Sequence, residues 1–154
     1  MADQKVYFMQ HGLAVDKADD PERPLSEAGI QQTQKIAETL RASGIIINRV
    51  FHSGKLRAIE TADIMATVMD LEPATMIEGL SPNDEVTLLN LKLGPNDALY
   101  VGHLPHLENL ITYLINGNVD HSIIKFQNSA VVCLEKSDND YQLQWYLIPF
   151  LIKG

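Results

Sequence analysis

The apolar positions of this chain fall into two rhythms, and their alternation sets the expected architecture. Val6-Tyr7-Phe8-Met9 is a short unbroken apolar run that stops at the polar Gln10-His11-Gly12. A run of that kind, bounded by glycine, suits a strand buried on both faces, as in a parallel sheet. From Ser26 the rhythm changes: Ile30, Thr33, Ile36, Ala37 and Leu40 recur every three or four positions. That spacing predicts an amphipathic helix capped by Ser26 and ending at Ser43-Gly44. Ile45 to Phe51 reads as a second strand, followed by His52-Ser53-Gly54 and a second helix from Lys55 to Met69, with Leu56, Ile59, Ala62 or Ile64, and Met65 facing inward.

The pattern then continues through a short strand near Met76 that leads into the loop at Ser81-Pro82. A third helix is expected from Asn83 or Asp84 through Val86, Leu88, Leu89 and Leu91. Pro95-Asn96-Asp97 marks a turn. Ala98 to Val101 is a further apolar strand, ending in Gly102-His103-Leu104-Pro105-His106, with a helix from Leu107 to Ile115. The last part changes character. Ala130 to Glu135 and Tyr141 to Leu147, joined by a polar Lys136–Asp140 segment, predict an antiparallel hairpin. Trp145, Tyr146 and Phe150 read as its packing residues. Strands alternating with helices, then a closing hairpin, predict an α/β fold with a mostly parallel central sheet, and residues 1–154 as one domain.

Charge narrows the function classes. The formal net charge is −8, from 20 acidic and 12 basic residues, which argues against nucleic acid or an anionic membrane as the main partner. Only four arginines are present, Arg23, Arg41, Arg49 and Arg57, so an anion site requires them to converge. The acids Asp16, Asp19, Asp20 and Glu22 read as a solvated loop. The single cysteine, Cys133, lies in an apolar run and reads as a small core residue. No apolar run approaches the roughly 20 residues of a membrane helix, and Met1–Lys5 leads straight into the first strand. A cytoplasmic protein is the expectation.

The candidate chemistry sits where apolar strands end. His11, the Ser53 to Arg57 turn and His103 each follow a strand and precede helix-forming sequence. If those strands are neighbours, His11, Arg57 and His103 meet at the carboxyl edge of a sheet, where such folds place ligands. Two histidines and an arginine could serve as metal ligands, as an acyl-transfer dyad or as a phosphoryl-transfer site. Metal-ligand spacing is lacking except for His103 and His106, and an arginine repels a cation. No nucleophile elbow of the Gly-x-Ser-x-Gly kind is present. Phosphoryl transfer fits better, because Arg57 offers a planar fork of donors and the imidazoles a nucleophile and a further donor.

Gln10-His11-Gly12, Leu56-Arg57-Ala58-x-x-Thr61-Ala62 and Gly102-His103-Leu104-Pro105, in that order, resemble the histidine phosphatase superfamily. The short length and Arg23-Pro24-Leu25-Ser26-x-x-Gly29 look most like its SixA-type phosphohistidine phosphatases. The resemblance implies a three-layer α/β/α sandwich of phosphoglycerate mutase-like type. It also implies that His11 is a nucleophile forming a transient phosphohistidine, with Arg57 and His103 holding the phosphoryl oxygens. No metal and no cofactor are implied. The implied partner is a phosphohistidine-containing signalling protein, with phosphate or another oxyanion in the pocket.

Two departures from the family pattern bear on activity. Its first motif is usually Arg-His-Gly, and here Gln10 replaces the arginine. The loss of one charge-assisted contact costs roughly 1.5–3 kcal/mol, or about 10–100-fold in rate. Arg23 is placed to compensate if it reaches over the pocket, and otherwise pairs with Asp20 or Glu22. Larger members carry a proton donor in the region of Glu78 to Asp84, where Glu78 is out of register. A phosphohistidine substrate relaxes that demand, because imidazole can leave already protonated. A small phosphate ester would need Glu78 or Asp84 in the pocket. The alternatives are therefore a small-molecule phosphomonoesterase, or a phosphate-binding module weakened by Gln10.

Overall fold

The computed structural model describes residues 4–89, 91 and 94–153. Its frame is a six-stranded sheet in the order β3-β2-β4-β1-β5-β6. The strands are β1 (Gln4–Gln10), β2 (Arg49–His52), β3 (Thr75–Met76), β4 (Ala98–Gly102), β5 (Val131–Ser137) and β6 (Asp140–Leu147). β1 with β4, β4 with β2, and β2 with β3 pair parallel. β5 adds antiparallel to β1, and β6 to β5, as the closing hairpin. The helices are α1 (Glu27–Ala42), α2 (Leu56–Val68) and α3 (His106–Asn116).

The unbroken apolar run of β1 has its explanation in two cores. Tyr7 and Met9 point into one cluster with Ile36, Ala37 and Leu40 of α1 and Ala58, Ala62 and Met65 of α2. Val6 and Phe8 point into the other, with Leu107, Leu110 and Ile111 of α3. Successive strand residues face opposite sides, so a strand covered on both faces has no polar position to spare. The result is an α/β/α sandwich. Cys133 lies fully buried in the first cluster.

Several local expectations are corrected. In α1, Ser26 is the N-cap and its Oγ accepts the Gly29 N–H, as expected. Ile30, however, faces outward at 39% exposure, and Gly29 faces inward because a Cβ there would meet the Leu13 carbonyl oxygen at 2.1 Å. The loop after β1 lies directly on this turn of the helix. Strand β2 begins at Arg49 rather than Ile45, because the amides of Gly44 and Ile45 close the end of α1 on the Arg41 and Leu40 carbonyls.

Helix α2 buries Ala58, Thr61, Ala62, Met65 and Ala66. Leu56, Ile59 and Ile64 stay half-buried on its flanks. Small residues at four-residue spacing let this helix lie close to the sheet, a signal that a search for large apolar residues passes over. Residues 83–89 form turns instead of the expected third helix, and part of the remainder of that stretch lies outside the described residues. Trp145 packs on Tyr7 and Tyr146 on Phe126, with ring centroids 5.9 and 5.6 Å apart. Phe150, expected to pack with them, is 87% exposed. Among the described residues no helix is long and apolar enough to cross a membrane.

The close seat of Gly29 on the Leu13 backbone gives a stability prediction. Gly29→Ala should lower the unfolding free energy by about 1–3 kcal/mol, the usual cost of overpacking a tight site. Chemical denaturation of the two proteins measures it, and equal midpoints would refute the contact.

Candidate active site

The crevice lies where β1 and β4 end side by side. β1 is followed by a helix on one face of the sheet and β4 by a helix on the other. Their diverging connections leave an opening at the carboxyl edge, the usual ligand position in such sheets. Gln10 pairs with Gly102, and the next amide, that of His11, donates to the Gly102 carbonyl at 3.0 Å. His11 and His103 therefore leave neighbouring strands at the same level, and their ring centroids are 5.0 Å apart.

His11 is 8% exposed. Its Nδ1 lies 2.7 Å from the Gly12 carbonyl oxygen. A carbonyl only accepts, so Nδ1 carries the proton and Nε2 presents its lone pair. Burial is the main cause that pushes the His11 pKa down to about 4, with Arg57 and Arg23 acting in the same direction and the Gly12 bond opposing. Desolvation thus contributes more to the neutral state of His11 than the nearby guanidinium does. The carbonyl of His11 is itself held by the Asn128 side-chain amide at 3.1 Å, and the Ser129 amide bonds the Gln10 carbonyl at 3.1 Å. Gly12 has to be glycine, because a Cβ there would lie 2.8 Å from Thr33 Oγ1 and 3.2 Å from the Gly29 carbonyl oxygen.

Arg57 sits in the first turn of α2, beyond the end of β2. Thr61, one turn further, fixes it relative to His11. The buried Thr61 hydroxyl donates to the Arg57 carbonyl at 2.7 Å and accepts the Gly12 N–H at 2.8 Å. One side chain thus links the loop that carries His11 to the helix turn that carries Arg57. Burial, and then Arg23, lowers the Arg57 pKa. The charge of Arg23 therefore acts on both His11 and Arg57. Its Nε donates to the Val15 carbonyl at 3.1 Å, and its backbone has φ +51°. Among the described residues Arg23 forms no ion pair with Asp20 or Glu22. The segment is pinned by Glu60, whose carboxylate accepts the Leu25 N–H at 2.7 Å.

His103 is 1% exposed, with Nε2 only 2.6 Å from Ser53 Oγ. Burial, followed by His11, Arg57, Lys55 and His106, pushes its pKa down to about 3. Ser53 and Lys55 were not singled out from sequence, although both lie in the turn that was. His106, which the sequence suggests as a surface or helix-start residue or a contact at the pocket edge, does begin α3, but it is buried there with both ring nitrogens unpartnered. Burial lowers its pKa, and Asp84 opposes this.

The two expected proton donors do not join the group. Glu78 is exposed. Asp84 accepts the Ser81 N–H at 3.0 Å and acts on His106. Among the described residues, no carboxylate is among the charges acting on His11 and His103.

Among the described residues, the buried side-chain nitrogen and oxygen atoms without a hydrogen-bond partner are Gln10 Oε1, Arg57 Nε, His103 Nδ1 and both ring nitrogens of His106. Such atoms are costly to bury and normally rare. Here they gather at one end of the sheet, which is the signature of a site built to receive a polar ligand. The cations Arg57, Arg23 and Lys55, whose charges act on the two histidines, suit an anion there. Among the described residues no three His, Cys, Asp or Glu side chains are grouped to hold a metal ion.

Thr61→Val removes the clamp without changing the size of the side chain and leaves the Gly12 N–H buried and unpaired. It should cost about 1–3 kcal/mol of stability, measurable by denaturation, and an unchanged stability would contradict the clamp. The low pKa of His11 also fixes a pH dependence. The unfolded histidine titrates near 6.5 and the folded one at about 4, so between these values the unfolded chain binds more protons. The His11 contribution to stability is complete above about pH 6.5 and is lost as pH falls through about 4. An NMR titration of the His11 ring should give the low midpoint, and a midpoint near 6.5 would refute the buried neutral imidazole.

Comparison with known proteins agrees with this geometry. Residues 6–81 match the histidine phosphatase superfamily (branch 1). The phosphohistidine phosphatase SixA of Escherichia coli (strain K12) is 30% identical over 159 aligned positions, covering 97% of this chain and 96% of that protein. An uncharacterized protein of Picosynechococcus sp. is 31% identical over 153 positions, covering 88% of this chain and 92% of its own. A solved structure of the protein histidine phosphatase SixA complexed with tungstate superimposes with a TM-score of 0.85 at 27% identity, covering 97% of this chain and 99% of that one. By sequence and by fold, the chain belongs to the histidine phosphatase superfamily.

Proposed function

We propose that this protein is a phosphohistidine phosphatase that removes phosphate from a phosphorylated histidine on a signalling protein, through a covalent intermediate on His11. Membership of the histidine phosphatase superfamily supports a phosphatase, and the similarity to SixA supports the phosphohistidine substrate. The observation that carries the reading is the crevice geometry: His11 and His103 stand with ring centroids 5.0 Å apart, and Thr61 ties Arg57 to the His11 loop. Among the described residues Glu78 is exposed and Asp84 is engaged with the Ser81 N–H. A site with cations and no acid stabilises phosphoryl transfer but cannot protonate a poor leaving group. Imidazole is a good leaving group once its other ring nitrogen is protonated, so phosphohistidine suits the site better than a sugar or serine phosphate.

In the proposed reaction the lone pair of His11 Nε2 attacks phosphorus in line with the scissile P–N bond. That bond breaks with its electron pair going to the partner's imidazole, which leaves neutral after proton uptake. Arg57 and His103 donate to the equatorial oxygens, where charge concentrates in the transition state. Water then attacks phosphorus on His11, releasing inorganic phosphate and returning Nε2 to its starting state. The Nδ1–H bond to Gly12 supports the imidazole through both steps, as it holds the ring in one orientation. Because the free His11 is neutral above about pH 4, its own protonation does not limit the rate in the neutral range.

Gln10 remains the weak point of the phosphate grip. Arg23 supports the site in its place, with its charge acting on both His11 and Arg57. Phosphate release from a phosphohistidine-bearing phosphotransfer domain tests the reading. The native chain should turn over and His11→Ala should not. No turnover from the native chain, with oxyanion binding retained, would refute it. Gln10→Arg should raise the native rate by up to about 10–100-fold, the value of one charge-assisted contact.

A further inference from the structure

The hydrogen bond between Ser53 and His103 determines more than the position of a ring. Ser53 is 6% exposed, and its Oγ lies 2.6 Å from His103 Nε2. The same oxygen accepts the backbone N–H of Lys55 at 3.4 Å, in the turn that leads into α2. A hydroxyl has one proton to give. Among the described residues, the only acceptor within reach of that proton is His103 Nε2. If instead Nε2 carried a proton and donated to Oγ, the serine proton would be left buried without an acceptor.

We infer that Ser53 is a positioning residue that fixes the tautomer of His103, so that the ring presents an N–H at Nδ1 to the oxyanion in the crevice. The inference rests on the phosphatase reading given above and adds to it a residue that touches no substrate. In this arrangement the Ser53 O–H donates to the lone pair of Nε2, and the single proton of the neutral ring sits on Nδ1. His103 Nδ1 is buried and without a partner, beside His11 at 5.0 Å between ring centroids. An unpaired buried N–H is costly in the free protein and is satisfied when a phosphoryl oxygen arrives. The opposite tautomer would aim a lone pair at that oxygen and repel it.

Protonation cannot make the same donor in the free protein, because burial and the surrounding cationic and imidazole groups, His11, Arg57, Lys55 and His106, keep the ring neutral. The hydroxyl is therefore what selects the donor nitrogen. No atom moves in this role other than one proton, whose place on the ring is chosen by the serine.

Nitrogen-15 NMR of the ligand-free chain tests the tautomer directly, since long-range couplings show which ring nitrogen bears the proton. His103 should carry it on Nδ1 in the native chain and in Ser53→Thr, and should become a mixture of tautomers in Ser53→Ala. A native ring protonated at Nε2 would overturn the inference, and so would a tautomer unchanged in Ser53→Ala. In phosphate release from a phosphohistidine domain, Ser53→Ala should lower kcat by about 10-fold or more, the equivalent of one hydrogen bond in the transition state. Ser53→Thr should restore most of it. If phosphohistidine is not the substrate, the native chain shows no turnover while the NMR result stands, so the two readings fail separately.

Discussion

The Thr61 hydroxyl joins the two halves of the crevice, and the rest of the site depends on that junction. His11 and Arg57 come from chain segments almost fifty positions apart, one after a strand and the other inside a helix. Each could be correctly folded locally and still be misplaced relative to the other by more than catalysis tolerates. Thr61 removes that freedom with one oxygen, accepting from the backbone next to His11 and donating to the backbone of Arg57. The oxygen is fully buried, so neither bond competes with water. Around it, Gly12 is held in a space too small for a side chain, and Asn128 and Ser129 hold the peptide units on the other side.

On this scaffold the protein maintains an electrostatic contrast. The whole chain carries a net charge of −8, while Arg57, Arg23 and Lys55 act on two neutral imidazoles at one edge of the sheet. Neutrality of those rings is a consequence of burial more than of the neighbouring cations. It leaves His11 with a free lone pair, and Ser53 with a neutral ring on which to place a proton. The unpartnered polar atoms at the crevice lower the stability of the free protein. Such a cost is common where a site is preorganised for a charge that arrives only with the substrate.

Among the described residues no carboxylate acts on His11, and this connects the geometry to substrate choice. Asp84 is occupied with the turn at Ser81 and Glu78 faces solvent. The fold therefore offers cations and positioned imidazoles for the phosphoryl group and little for the leaving group. Under the proposed function that division matches a substrate whose leaving group is itself an imidazole. Gln10 brings no charge to the crevice, while the charge of Arg23, on a loop pinned by Glu60, acts on both His11 and Arg57.

Much of the frame was legible because its periods are local. The unbroken run at Val6–Met9, the Ser26 cap, the helix that follows Pro105 and the closing hairpin all follow from residues within a few positions of one another. His11, Arg57 and His103 could be named because each follows an apolar run, and the order of the motifs pointed to one family. Ile30, Phe150 and residues 83–89 were misjudged because their placement depends on what packs against them. Only the tertiary structure decided that the charge of Arg23 acts on both His11 and Arg57, and that Asp84 holds the turn at Ser81. It also decided that Ser53 bonds His103 and that Thr61 joins Gly12 to Arg57. A local pattern limits which face a side chain can show, but what packs on it and which group it hydrogen-bonds are chosen by the order of strands and by the face to which each helix crosses. Those are set by packing between segments distant in sequence, and no local period encodes them.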